Sequence, residues 1–144
     1  MENQLELSLD KIYSKIGYIL ACLSSYSSLD LSKRIYEINH HIHLIKKSCI
    51  EHKEFVDIRD VIDFRIKLDE LKSRLPDDDE ILFDGHKIAC LLFEVSIELK
   101  LLIIQFNKLI SEDMMEYLEL ASKYLYDCGR IVNIELLSYE NKLK

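Results

Sequence analysis

The stretch HKIACLLFEVSIELKLLIIQFNKLI, His86 to Ile110, decides the fold, because it is the only long segment of the chain that is apolar on nearly every side. Apolar residues recur in it at alternating spacings of four and three, which is the repeat of an α-helix. A helix of this kind lies inside a fold. Its few polar residues share one narrow sector, so we expect that edge to face water and neighbouring helices to cover the other sides: Glu94, Glu98, Gln105 and Lys108.

The composition fits one soluble domain, residues 1–144, large enough to bury a core without disulfides or metals. Charged residues such as Glu94 and Glu98 interrupt the apolar stretch, whereas a membrane span needs about 20 residues almost free of charge. Glu2 and Glu6 stand where a secretory signal carries positive charge. The four cysteines are widely separated and form no C-x-x-C pair, which favours reduced thiols and a cytoplasmic location.

Three more helices precede the central one. Apolar spacings of three and four predict helices over about 4–23, 31–49 and 58–75. Residues 62–68 also alternate with a period of two, so a strand paired with residues 132–136 is the alternative for this segment. The helix is favoured because the three-four spacing continues beyond the alternating residues.

Local signals predict where the later helices begin and end. We expect Asp84 to cap the central helix, with a tight hairpin at Asp84 and Gly85 as the alternative. Ser111, followed by two acids, is expected to begin a fifth helix. Gly129 is expected to end that helix, because glycine readily adopts the left-handed conformation beyond a helix end. Residues 130–137 form a short last helix or strand. The sequence therefore predicts a single-domain all-α fold, an antiparallel bundle of five to six helices around a buried central helix at about 86–110.

The charge indicates what kind of partner the protein binds. A formal net charge of -7 argues against a nucleic-acid binder, which needs a clustered Lys/Arg surface, and suits a basic protein partner. Carboxylates recur every three residues along the third helix and continue in the loop after it. Either they form a solvated face, or they meet a basic partner and raise its association rate. The predicted partner-binding residues are Asp57, Asp60, Asp63, Asp77, Asp78, Asp79 and Glu80.

Arg34 and His40 are separated by five residues on the second helix. The pair resembles the Arg-x(4 to 6)-His signature of HEPN-domain ribonucleases, which are all-helical proteins of about this size. The resemblance implies a dimer in which the arginine and histidine of both protomers hold the scissile phosphate and assist attack by the ribose 2′-hydroxyl. Ile35 stands where that family has a polar residue beside the arginine.

The segment Asp127 to Val132, with Gly129 followed by Arg130, resembles the BH1 segment of Bcl-2-like proteins. In that family the Gly-Arg pair opens the central helix, and the arginine meets an aspartate of a bound BH3 peptide. The resemblance implies a decoy with a hydrophobic groove for a partner helix. Only fourteen residues follow Arg130, whereas that fold continues further, and a helix end explains Gly129 more simply.

A histidine cluster on the second helix is the one candidate metal site. Glu37 and His40 have the Glu-x-x-His spacing of di-iron carboxylate bundles, and His43 follows three residues later. Only one copy of this motif is present, so we predict a solvated polar face, with no metal and no cofactor. The sequence also lacks a glycine-rich phosphate loop, a G-x-S-x-G motif and any other nucleophile arrangement.

These observations predict a non-enzymatic protein-binding domain. The preferred interpretation is an acidic immunity or antitoxin-type inhibitor of a basic cytosolic toxin such as a nuclease, without direct contact to nucleic acid or membrane. The alternatives are the HEPN-like ribonuclease and, third, a viral Bcl-2-like decoy or secretion-system adaptor. The sequence does not determine the partner or the oligomeric state.

Overall fold

The protein is an all-α bundle. The computed structural model describes residues 2–26, 30–53, 58–76 and 83–137. Its helices are α1 (Glu2–Leu23), α2 (Ser32–Glu51), α3 (Ile58–Lys72), α4 (Lys87–Phe106) and α5 (Glu112–Val132), and a π-helical turn (Asn133–Leu137) continues α5. The described residues contain no strand, which confirms the predicted fold class.

The ambiguous segment 62–68 lies inside α3, so the helical interpretation is confirmed and the strand is wrong. Its proposed partner, residues 132–136, belongs to the end of α5 and the π-helical turn. The three-four spacing identifies the core because it places one side chain per turn on one face. On α1 all six residues of the predicted stripe are buried: Leu5, Leu9, Ile12, Ile16, Ile19 and Leu23.

Ion pairs show how α1 packs against its two neighbours. Lys15 bonds Glu94 and Glu98 of α4, both at 2.5 Å, and Lys11 lies 3.6 Å from Glu98, so α1 and α4 run in opposite directions. Lys46 of α2 bonds Asp10 of α1 at 2.6 Å. The polar contacts between helices therefore agree with the antiparallel order that short connections favour.

The α3 helix packs against α5 and runs in the same direction. Arg65 pairs with Glu116 near the start of α5, and Arg74, just after α3, bonds Glu135 at 3.3 Å in the turn that follows α5. Phe64 contacts the Tyr124 ring of α5, with centroids 5.2 Å apart. One side of α3 is therefore held against α5, and the opposite side is exposed.

A seam of small residues joins α4 to α5. Ser96 and Ser122 are buried, and each hydroxyl donates to the other residue's carbonyl at 2.8 Å. Ala89 and Ala121 are also fully buried on these helices. Small side chains let two helix backbones approach closely, and the paired hydroxyls leave neither polar group unsatisfied. The seam fixes the register between the two helices.

Gly129 belongs to this seam and does not end α5, so that prediction is wrong. The helix continues through Gly129 to Val132. A Cβ atom at this position would lie 2.3 Å from Cε1 of the Phe93 ring on α4, far closer than van der Waals contact allows. Glycine is required here by the close approach of an aromatic ring, and a helix-end signal in the sequence cannot be distinguished from such a contact.

The predicted caps have mixed outcomes. Ser111 accepts a hydrogen bond from the Met114 amide at 3.3 Å, as expected for the residue that caps the start of α5. Asp84 does not cap α4, because the helix begins at Lys87 and its cap is His86, whose ring nitrogen Nδ1 accepts from the Ile88 amide at 3.1 Å. The Asp84 carbonyl instead accepts from the Asn133 side chain at 2.8 Å. The start of α4 is therefore tied to the end of α5.

The exposed edge of α4 is wider than the sequence predicts. Glu94, Gln105 and Lys108 are exposed, as expected, but apolar residues that we expected to be covered lie among them. Among the described residues, α4 packs against α1 on one side and α5 on the other, and no helix covers its outer face. The exposed apolar side chains are Ile97, Leu101 and Ile104.

We predict that Gly129→Ala lowers the free energy of unfolding by about 1–3 kcal/mol, because the added methyl group forces the Phe93 ring or the two backbones to move. Urea unfolding followed by circular dichroism measures the change. The matched control is Gly17→Ala on α1, where a Cβ atom would meet nothing within 4 Å. It is expected to raise the free energy by about 0.5–1 kcal/mol through helix propensity alone. Equal effects of the two substitutions would contradict the seam.

Candidate functional site

The structure describes two of the seven predicted partner-binding carboxylates. Asp63 bonds Lys67, four residues along α3, at 2.6 Å. Asp60 is half-buried, and its Oδ1 lies 4.0 Å from Nε2 of His41 on α2. Both acids therefore have partners within the chain, and Asp60 points towards α2. The other five lie outside the described residues, and their role stays a prediction: Asp57, Asp77, Asp78, Asp79 and Glu80.

The outer face of α3 carries an exposed apolar pair within acidic residues. Ile62 and Ile66 are each 55% exposed and lie one turn apart, so they share one face. Exposed carboxylates flank them at Asp63, Asp69 and Glu70. Apolar side chains that lose water at the centre of a contact, with charged groups at its rim, are the usual arrangement of a protein interface.

Sequence reasoning missed the two isoleucines. The alternation over residues 62–68 gives them no separate place, because it also fits a half-buried strand, whereas α3 places them opposite its buried stripe of Val61, Phe64 and Leu68. The available signal was their position relative to that stripe on a helical wheel. Basic residues also lie at this face: Arg59 is exposed one turn before Ile62, and the exposed Arg65 pairs with Glu116 of α5.

A buried polar contact lies on the inner side of the same region. The Tyr117 side chain of α5 is fully buried, and its hydroxyl lies 2.6 Å from Nδ1 of His41. Burial raises the pKa of Tyr117 well above its ordinary range. Burial also lowers the pKa of His41, against the opposing effect of the nearby Asp60 carboxylate. Both groups are therefore neutral near pH 7, and their contact joins α2 to α5.

Arg34 and Glu37 belong to a chain of ion pairs between α2 and α3. The guanidinium of Arg34 donates to the Glu37 carboxylate at 3.2 Å and 3.3 Å, and Lys67 of α3 donates to it at 3.3 Å. Burial alone would raise the pKa of Glu37, but these hydrogen bonds outweigh it and hold that pKa below its ordinary value. The arrangement fastens the inner edge of α3 to α2.

The pair Arg34 and His40 does not converge within one chain. Six positions along an α-helix correspond to roughly 120° of separation around its axis. His40 is exposed on that other side, whereas Arg34 is bound to Glu37. The HEPN interpretation, which requires a dimer, stays a prediction that this geometry does not test.

The Gly-Arg pair of the BH1 resemblance lies at the end of a helix. Gly129 and Arg130 lie in the last turn of α5 and do not open a helix, as the BH1 resemblance would require. Arg130 donates to the Pro76 carbonyl at 3.1 Å, so it holds the end of the α3 region. Within the described ranges, no three His, Cys, Asp or Glu side chains are grouped so that they could hold a metal ion.

Comparison with known proteins gives no family assignment for this chain. In comparisons with them, no protein-family model matches the chain and no curated protein matches its sequence. Across the described part of the chain, every helix is too short or too polar to cross a membrane.

Because His41 is held neutral against Tyr117, we predict that the free energy of unfolding falls as the pH is lowered and His41 becomes protonated. Its pKa in the folded protein is below the ordinary value of 6.5, so the unfolded chain binds a proton first as the solution is acidified. The contribution of neutral His41 to stability is fully present above pH 6.5. It is lost as the pH falls from 6.5 to the lower pKa that His41 has in the folded protein. The neighbouring charges are Asp60 and Lys67 on α3, with Glu37 and His40 on α2.

Urea unfolding of the wild type and of His41→Gln, measured at several pH values between neutrality and pH 5, tests this prediction. The glutamine variant lacks the titrating ring and should show a weaker loss of stability on acidification. Parallel pH dependences of the two proteins would contradict it.

Proposed function

We propose that the protein is a non-enzymatic binding domain that inhibits a basic protein in the cytoplasm, in the manner of an immunity protein or antitoxin. The observation that carries the proposal is the outer face of α3, where Ile62 and Ile66 are exposed among carboxylates. Two isoleucines held on a helix present apolar area without needing to be ordered first, which lowers the entropic cost of binding.

The charge of the face supports a basic partner. The chain has a formal net charge of -7, and the exposed acids Asp69 and Glu70 lie beside the isoleucines. Such carboxylates attract a basic surface from a distance and raise the association rate, while contributing less to the final affinity than the apolar centre. A toxin that acts on nucleic acid carries a basic surface of this kind.

The inner contacts of α3 support its use as a rigid platform. Lys67 bonds Glu37 and Asp63, and Phe64 is packed on aromatic rings of α5. A binding face held on a fixed helix keeps its geometry better than one on a loop. The polar groups behind the face therefore hold it in place, and the proposed contact needs only its outer side.

The first test is capture of a partner from cells of the source organism by the purified protein. We expect the wild type to retain a stoichiometric basic protein and the double variant Ile62→Ala/Ile66→Ala to lose it. The matched control is Ile97→Ala/Ile104→Ala, which removes two exposed isoleucines from α4 and should retain the partner. Equal capture by both double variants would contradict the assignment to α3.

The second test concerns the rim and uses the captured partner. We expect a variant with amides in place of the three acids to associate up to about tenfold more slowly at low salt, with a weaker dependence on ionic strength. Surface plasmon resonance measures both rates. The substitutions are Asp63→Asn, Asp69→Asn and Glu70→Gln.

The control for the rim carries the same change of net charge on exposed acids of helices other than α3. Its association rate should remain close to that of the wild type, because steering depends on carboxylates near the contact. If the control and the α3 variant are slowed equally, only net charge matters and the proposed rim is wrong. The control substitutions are Glu51→Gln, Glu94→Gln and Glu119→Gln.

A further inference from the structure

The outer face of α4 carries a strip whose charge pattern is self-complementary. Five side chains recur along it at spacings of three, four, three and four, so they follow one edge of the helix. The first is the exposed Glu94 and the last is the exposed Lys108, which follows Asn107, a residue that keeps helical backbone angles. The middle three are apolar and 40%, 57% and 73% exposed: Ile97, Leu101 and Ile104.

We propose that this strip binds a second copy of the chain, with the two α4 helices antiparallel about a two-fold axis at Leu101. Leu101 is seven residues from Glu94 and seven from Lys108. In this arrangement each Glu94 lies level with the partner's Lys108, and Ile97 lies one residue, about 1.5 Å along the axis, from the level of the partner's Ile104. A two-fold interface uses the same patch on both subunits, so a patch with opposite charges at its two ends suits it.

The charges select the antiparallel arrangement. In a parallel pair, Glu94 would face Glu94 and Lys108 would face Lys108, and like charges in register are unfavourable. Glu94 also bonds Lys15 of its own chain, which holds the carboxylate at the edge of the strip. The apolar centre thus supplies the attraction, and the ends determine the direction.

The size of the strip indicates a weak dimer. The strip is about 21 Å long, from the 1.5 Å rise per residue of a helix. On the adjacent α1 helix, Leu7 and Tyr18 are also 68% and 52% exposed. An interface of this extent falls at the small end of specific contacts, so the dimer exchanges with monomer. Because α3 packs against α5, a dimer formed through α4 leaves the outer face of α3 free. Dimerisation through α4 and binding of a basic partner by α3 can therefore fail independently.

Sedimentation equilibrium of the full chain, from micromolar to submillimolar concentration, tests the dimer. We expect the weight-average mass to rise with concentration from monomer towards dimer. Leu101→Glu should remain monomeric throughout. The matched control is Ile62→Glu on α3, where the replaced side chain is 55% exposed against 57% for Leu101, and it should dimerise like the wild type. A wild type that is monomeric at every concentration, or a dimer unaffected by Leu101→Glu, overturns the proposal.

A charge exchange tests the direction of the helices. Glu94→Lys alone and Lys108→Glu alone should each weaken the dimer, because each places like charges level across the antiparallel interface. The double variant Glu94→Lys/Lys108→Glu should restore dimerisation to near the wild-type strength. Failure of the double variant to recover, while circular dichroism shows that it is folded, overturns the antiparallel arrangement.

Discussion

The close contact between α4 and α5 is the constraint on which the rest of the structure depends. Ser96 and Ser122 exchange hydrogen bonds in the interior, and the Phe93 ring lies against the backbone at Gly129. Neither contact tolerates a larger side chain without movement. Since α1 packs on α4 and α3 packs on α5, the positions of both outer helices follow from this seam.

The seam also explains why two exposed apolar surfaces exist. The α5 helix is covered on several sides and buries thirteen residues, whereas α4 buries nine and keeps its outer edge exposed. The α3 helix lies outside α5 and presents Ile62 and Ile66 to solvent. The α3 surface carries more exposed carboxylates than basic side chains around its isoleucines, and the α4 strip has opposite charges at its ends. This difference suits a foreign basic partner for α3 and a second copy for α4.

The polar contacts behind α3 stabilise the fold and position the proposed face. Tyr117 and His41 form a neutral pair between α5 and α2, while Glu37 accepts from Lys67 and Arg34. A buried polar group is costly unless it is paired, so these residues stay in place as a group. The residues that resembled catalytic or metal-binding motifs in the sequence thus include several that hold helices together.

The periodic part of this fold could be predicted from the sequence, and the contacts that depend on two distant segments could not. The stripe from Leu5 to Leu23 and the cap at Ser111 are local patterns, and both are confirmed. The role of Gly129 could not be predicted, because the ring that requires a glycine there belongs to Phe93, 36 residues away. For α4, a sequence almost apolar all round does not reveal how many neighbours the helix has. The exposure of Ile62 and Ile66 on α3 could not be predicted either, because residues 62–68 also fit the two-residue period of a strand.

Residue-resolved hydrogen exchange of the folded chain tests the central claim most directly, because amides in the last part to open exchange slowest. We expect the slowest amides to lie on α4 and α5 around Ser96, Ser122 and Gly129, and those of α3 to exchange faster while the seam stays closed. Seam amides that exchange before those of α3 would contradict it.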